Sequence, residues 1–336
     1  MKEIICTEPG VMKEVEQVLS KDVEANEVLV AVKRIGICGT DIHAFGGNQP
    51  FFSYPRTLGH ELSGLIEAVG SGVTHAKKGD IVTILPYMNC GTCIACNSEK
   101  TNCCTNMKVL GVHIDGGMAN YIKVPKEHVF VVNNLTLDEA AIIEPLSIGA
   151  HAVRRAEITM DDSVLILGAG PIGLGAANFA KLQGARTIIM DISKERLEFC
   201  KDWAECDFAI QPNEHTIETL LDINNGNLPS IVMDATGNKQ SMTQAFNYVG
   251  NGGKLVYVGL VKDTITFSDP DFHAKELTLL GSRNATKEDF EYVIKSLSNG
   301  SVKSSYVTNK ITFDQLISYF EKGDFGTNKT MAIIEE

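Results

Sequence analysis

The chain has 336 residues, 44% hydrophobic and 21% charged, with a formal net charge of −12. That acidic balance, with a pI near 5.2, argues against nonspecific nucleic-acid binding, which needs a basic surface. No run approaches the roughly 18 apolar residues of a membrane span, and the opening MKEIICTEPGVMKEVEQ lacks the pattern of a signal peptide.

The length predicts two domains. Up to about residue 145 the chain is rich in short β-type runs such as EVLVAVKRI (27–35) and GDIVTIL (79–85), set between glycine-rich turns. From about residue 150 the rhythm becomes strand, helix, strand. VLILGAG (164–170) reads as a buried strand ending in glycines, and IGLGAANFAKLQG (172–184) as a helix closed by Gly184. TIIMD (187–191) is a second strand, followed by the helix SKERLEFCKDW with Ser193 as its N-cap. IVMDATG (231–237) and KLVYVGL (254–260) are further buried strands, and ATKEDFEYVIKSLSNG opens with a helix. Such alternation implies an α/β fold with a parallel sheet between helices. The expected organisation is a mostly-β domain over 1–146 and 283–336, interrupted by a doubly wound domain over 147–282.

Gly168, Gly170 and Gly173 form G-A-G-P-I-G between a strand and a helix. The first glycine allows a tight turn and the second lets the backbone approach a pyrophosphate. The third lets helix pack on strand, while the helix N-terminus carrying Pro171 and Ile172 favours the anion. Asp191, 23 residues after Gly168, ends the next strand where a carboxylate accepts from ribose hydroxyls. The same carboxylate repels a 2′-phosphate, so NAD is expected, with NADP left open by Arg186 and Arg196 nearby.

The nine cysteines are an odd count, which without a secretion signal fits a reducing, cytoplasmic setting. Cys90, Cys93, Cys96 and Cys104 have the spacing C-x2-C-x2-C-x7-C. Four thiolates close a tetrahedral shell around zinc and leave no position for a substrate. A structural zinc over 90–104 is therefore expected, with an iron–sulfur cluster as the competing reading. Cys103 is the spare thiol, and Cys6, Cys200 and Cys206 read as core or helix-face residues. Cys38, in GICGTDIH, stands apart and is followed 22 residues later by His60 and Glu61. One cysteine, one histidine and neighbouring carboxylates can hold zinc with an open position.

GHELSGLIEAVGSGV fits the zinc alcohol dehydrogenase signature G-H-E-x2-G-x5-G-x2-V at every fixed position. With CGTDIH, the four-cysteine segment, DGG (115–117), IIEPLSIGAHA (142–152) and GAGPIG, the chain resembles the zinc-dependent medium-chain dehydrogenases from end to end. The glutamate of IIEP is similar to the polyol and threonine branch. FGGNQPFFSYPRTLGHE and FSDPDFHAKELTLLGSRNATKEDF resemble bacterial sugar-acid dehydrogenases.

The resemblance implies a GroES-like catalytic domain, a Rossmann coenzyme domain and two zinc ions per chain. It implies catalytic zinc held by Cys38 and His60, with Glu61 and Glu144 completing the site, one directly and one through water. Asp41 would orient the histidine, Thr40 would pass on the alcohol proton, and His43 would be the next relay. Cofactor contacts would add Ala235, Thr236, Val258 and Gly259 to the glycine loop, Asp191 and Arg196. For the substrate, Arg283 would face a carboxylate, with Asn48, Gln49 and Asn284 as hydroxyl partners and Phe45, Phe51 and His113 as walls. Ala44 stands where polyol dehydrogenases carry an aromatic residue, which weakens a simple sorbitol-like specificity. The expected activity is oxidation of a secondary hydroxyl of a sugar acid, and the alternatives are a polyol, another hexonate or threonine. A non-catalytic nucleotide-sensing protein is the reading from another class. The resemblance also implies a homo-oligomer, dimer or tetramer.

Overall fold

The computed structural model describes residues 1–18, 20–326 and 328–335. Two compact units emerge, Met1–Glu144 with Ala285–Glu336, and Pro145–Asn284. The division after Asn284 puts Arg283 and Asn284 in the second unit rather than with the returning segment.

The first unit opens with strands β1 (Lys2–Glu8) and β2 (Val11–Glu16), followed by the long β3 (Glu27–Ile37) and the short helix α1 (Gly39–Phe45). Then come β4 (Arg56–Thr57), β5 (Glu61–Val69), β6 (Ile81–Ile84) and β7 (Tyr87–Met88). Helix α2 (Ile94–Asn97) lies in the cysteine-rich segment, before β8 (Lys108–Val109), β9 (Tyr121–Pro125) and β10 (Val129–Val131). Helix α3 (Leu137–Ala141) starts at Thr136, whose hydroxyl accepts from the Glu139 amide, and α4 (Ile143–Ala156) carries the chain from the first unit into the second.

The second unit contains β11 (Ser163–Leu167), α5 (Pro171–Leu182), β12 (Arg186–Met190), α6 (Lys194–Ala204), β13 (Phe208–Ile210) and α7 (Thr216–Ile223). It continues through β14 (Ile231–Asp234), α8 (Lys239–Tyr248), β15 (Lys254–Tyr257), α9 (Asp269–Ala274) and β16 (Thr278–Gly281). The chain then returns to the first unit with α10 (Lys287–Ser298), β17 (Val307–Thr312), α11 (Leu316–Lys322) and β18 (Lys329–Ile333).

In the first unit the main sheet runs β10-β6-β5-β3-β18-β17, with β9 also on β3. One edge of β3 is shared: β9 pairs with Glu27–Ala31 and β18 pairs with Arg34–Ile37. Alternating side chains of these strands, among them Val30, Val32, Ile35, Leu62, Ile66, Val82 and Ile84, fill the core. Each fully buried aliphatic side chain contributes about 1.5–3 kcal/mol relative to exposure. Register matters most at the end of β3, where Gly36 pairs with Glu61 and Ile37 pairs with Thr330. A Cβ on Gly36 would lie 2.0 Å from Glu61 Oε2, so only glycine leaves room for that carboxylate.

The second unit holds a six-stranded sheet, β13-β12-β11-β14-β15-β16, with every pairing parallel. Parallel strands are covered on both faces, which is why VLIL, TIIM and IVMD are continuous apolar runs. The order is that of the dinucleotide-binding doubly wound fold, with its switch point between β11 and β14. This is the α/β architecture, a mixed sheet and a parallel sheet, expected from the sequence. Among the described residues, no helix is long and apolar enough to cross a membrane.

Candidate functional site

Among the described residues, two groups of side chains could each hold a metal ion, and they are built differently. Cys90, Cys93, Cys96 and Cys104 bring their sulfurs within 4.8 Å of one another. The Cys90 amide donates to Cys104 Sγ at 3.2 Å and the Asn106 amide to the same sulfur at 3.3 Å. Amide donors of this kind favour thiolates, although at Cys104 burial outweighs them and raises the thiol to about 11. The Cys93 thiol is lowered to about 5 by the Cys96 and Thr105 amides, and Cys90 to about 7 by the amide and hydroxyl of Thr92. Four converging sulfurs with amide support suit a closed tetrahedral ion. Cys103, inside the same segment, is exposed and outside the group, while Cys6, Cys200 and Cys206 are buried.

The second group is Cys38, His60 and Glu61, whose ligand atoms also lie within 4.8 Å of one another. Cys38 sits where β3 ends, and His60 and Glu61 sit where β5 begins. The Gly36–Glu61 pairing therefore places the thiol beside the imidazole and carboxylate. His60 and Glu61 are buried and Cys38 is half-buried. His60 Nδ1 is buried with no hydrogen-bond partner and lies 3.7 Å from Asp41 Oδ1. With Nδ1 turned to Asp41, the imidazole, the Cys38 thiol and the Glu61 carboxylate together are the donor set of an open zinc site.

Asp41 is fully buried, and its oxygens accept from the Cys38 amide at 2.9 Å and the Gly59 amide at 3.2 Å. One carboxylate thus ties together the backbones that present Cys38 and His60. Burial raises its pKa against the opposing pull of His60. For His60, burial disfavours the imidazolium, yet Asp41 and Cys38 outweigh it and raise the pKa well above the usual value. The pocket is therefore electronegative enough to hold a proton, and a divalent cation satisfies the same field.

Three buried residues complete this group that sequence reasoning did not single out. The Lys329 ammonium pairs with the Glu61 carboxylate and donates to the Ile37 carbonyl at 2.9 Å. Burial alone would discharge that lysine, but Glu61 and Cys38 raise its pKa and keep it cationic. The Tyr87 hydroxyl donates to Glu144 Oε1. Glu144 is pushed up to about 7, by burial first, with His60 opposing and Glu61 adding to the rise. Tyr306, also fully buried, feels the charges of Glu61, Cys38 and Glu144. None of the three falls in a recognisable motif, and Lys329 reaches the site only through the β3–β18 register.

Thr40 and His43 lie three residues apart on α1, on one helix face, with Thr40 half-buried and His43 exposed. Phe45 packs its ring on Phe320 at 5.4 Å, within the core. His113 accepts from the Val109 amide at 3.1 Å and stacks with Phe51 at 6.4 Å. Gln49 accepts from the Phe51 amide at 3.4 Å, and Asn48 is exposed after α1.

In the second unit, the predicted cofactor residues gather at the C-terminal ends of the parallel strands. Gly168 has φ 94° and Gly173 cannot carry a Cβ, which would lie 1.8 Å from the Gly168 carbonyl. At Gly170 a Cβ would meet no protein atom within 4 Å. Internal packing therefore does not require glycine there, whereas close approach of a phosphate does. Pro171 and Ile172 open α5. Asp191 accepts from the Ala169 amide at 2.7 Å and the Ser193 amide at 2.8 Å, joining the glycine loop to the start of α6. Two of its acceptor positions are used and others stay open to a ribose. The Arg196 amide caps onto Ser193 Oγ at 3.3 Å. Ala235 and Thr236 follow β14, and Val258 and Gly259 follow β15, held by their amides on the Asp234 carbonyl at 2.9 and 2.8 Å. Arg283 and Asn284 lie just beyond β16 at this same end, with Asn284 at φ 53°.

Comparison with known proteins adds to this geometry. Residues 24–134 match the alcohol dehydrogenase GroES-like domain, and residues 171–299 match the zinc-binding dehydrogenase domain. The L-galactonate-5-dehydrogenase of Escherichia coli (strain K12) is 43% identical over 326 residues, covering 96% of this chain and 95% of that protein. A sorbitol dehydrogenase of Bacillus subtilis (strain 168) is 33% identical over 310 residues, covering 90% and 87%. Among solved structures, an alcohol dehydrogenase from Escherichia coli CFT073, complexed with the cofactor NADH, superposes with a TM-score of 0.92 at 30% identity. That superposition covers 99% of each chain.

Proposed function

The chain belongs to the zinc-dependent alcohol dehydrogenase family, and from that premise we propose that it oxidises a secondary hydroxyl of a sugar acid with NAD. L-galactonate, converted to the 5-keto acid D-tagaturonate, is the substrate of first choice. The observation that carries this choice is the 43% identity with an L-galactonate-5-dehydrogenase across nearly the whole of both chains. The convergence of Cys38, His60 and Glu61 supports these three as holders of a catalytic zinc. The Cys90, Cys93, Cys96 and Cys104 group supports a second, structural zinc.

Bound at these places, zinc supplies polarisation of an alcohol oxygen and the nicotinamide supplies a hydride acceptor. The chain's own residues do the rest. Asp41 fixes the loop ends that present the thiol and imidazole, and Lys329 pairs with Glu61 in a buried site. Thr40 Oγ1 accepts the alcohol proton and passes it towards His43, which is open to solvent. The glycine loop and the α5 N-terminus receive the pyrophosphate, and Asp191 receives the ribose. That carboxylate favours NAD over NADP by repelling a 2′-phosphate. Arg283 is the proposed partner of the substrate carboxylate.

A dehydrogenase screen tests the reading, with L-galactonate, L-idonate, L-gulonate, sorbitol and L-threonine offered with NAD and NADP in parallel. L-galactonate with NAD should give the highest kcat/KM. The likeness to a sorbitol dehydrogenase favours the polyol as second reading. Turnover of sorbitol equal to or above that of every acid would replace the first reading by the second. Arg283→Ala separates them further, since it should raise KM for acids far more than for neutral polyols.

A further inference from the structure

Glu144 and Glu61 are both buried carboxylates close enough to feel one another and His60, yet only Glu61 joins the compact group with Cys38 and His60. A fourth protein ligand would close a tetrahedral ion and leave no position for an alcohol. What holds Glu144 back is visible. Its Oε1 accepts a hydrogen bond from the Tyr87 hydroxyl, and both side chains are buried, at 3% and 5% exposure. The phenol is itself held in place. Its strand β7 pairs with β8 through Tyr87 and Val109, and its ring stands edge-on to Phe290 at 6.5 Å and 89°. Phe290 is fully buried and stacks on Phe130 at 5.6 Å.

We propose that Tyr87 is a positioning residue whose hydroxyl holds Glu144 off the Cys38–His60–Glu61 group and so keeps one coordination position free of protein ligands. The inference rests on the reading of that group as the catalytic zinc site. Phenylalanine at 87 keeps the ring and its contact with Phe290 but releases the carboxylate, which then completes the metal's shell from the protein side.

The test uses the full-length, zinc-loaded enzyme and follows zinc release to a chromogenic chelator. The phase missing from Cys38→Ser identifies the catalytic ion. In Tyr87→Phe that phase should slow by about tenfold, the scale on which outer partners tune a metal site. By the same scale kcat should fall about tenfold or more, with KM for the alcohol changed less. The visible spectrum of the cobalt-substituted variant should shift towards a closed four-coordinate form. In a Glu144→Gln background, whose neutral amide cannot serve as an anionic ligand, adding Tyr87→Phe should leave release unchanged. Release that is unchanged or faster in Tyr87→Phe would overturn the inference while leaving the metal assignment standing. A wild-type enzyme with no Cys38-dependent phase would overturn the metal assignment, and the inference with it.

Discussion

The four-cysteine segment and the Cys38 group are both candidate zinc sites, but the chain assembles them in opposite ways. The first draws all its ligands from residues 90–104, and its sulfurs are supported by amides of the same loop. The second draws Cys38 from one strand end and His60 and Glu61 from another. Its supporting groups come from Asp41, Tyr87, Glu144 and Lys329, the last bonded to a carbonyl 292 residues away in sequence. A local site can only be a clasp, because its four thiolates leave nothing to adjust. A site gathered from many elements can keep a position open and tune the charge around it, since each outer group is placed independently.

The largest expected effect strikes the open site. Cys38→Ser should remove one zinc per chain and lower kcat about a thousandfold, equivalent to about 4 kcal/mol of transition-state stabilisation. Metal analysis with steady-state kinetics checks it, and retained turnover with full zinc would erase the contrast between the sites. Lys329→Met leaves Glu61 as an uncompensated buried charge and should cost about 3–5 kcal/mol in urea unfolding. A cost near zero would mean that the metal alone balances that carboxylate.

Cys93→Ser should also remove one zinc, yet spare turnover per folded molecule at 25 °C. Its signature is thermal, a fall in Tm on the order of 5 °C for a loss of about 2 kcal/mol. If it abolished catalysis at 25 °C as Cys38→Ser does, the clasp reading would fail. The smallest effect belongs to a buried group outside both sites. The His128 ring donates from Nδ1 to the Leu85 carbonyl at 3.0 Å, and burial lowers its pKa below the ordinary 6.5. The unfolded chain therefore binds the proton more readily. The stability from neutral His128 is complete above about pH 6.5 and declines as pH falls below it. Relative to His128→Gln, the wild type should lose stability more steeply as pH falls below about 6.5. Parallel pH curves would remove His128 as a contributor.

These contrasts also explain what could be read before the structure. Residues whose partners are near in sequence were legible: the four-cysteine spacing, the glycine turn between β11 and α5, and the Ser193 cap of α6. The parallel strands announced themselves because burial on both faces demands unbroken apolar runs. The grouping of Cys38 with His60 and Glu61 was legible through the GHE signature, which carries a pairing that no local pattern encodes. Lys329 and Tyr87 were not legible, since a lysine near residue 330 or a tyrosine after a proline looks like any other until strand register brings it inward.

The position of β18 has a consequence for how the molecule is made. It fills a place beside β3 in the main sheet of the first unit, while the whole second unit lies between them in the chain. During synthesis, residues 145–284 can reach their parallel sheet while β3, already paired with β5, still lacks its second neighbour along Arg34–Ile37. Until Lys329 leaves the ribosome, Glu61 is a carboxylate without its counter-charge, and the catalytic half is a nascent sheet with an open edge. Coenzyme-binding competence should therefore appear in translation intermediates before metal-retaining competence.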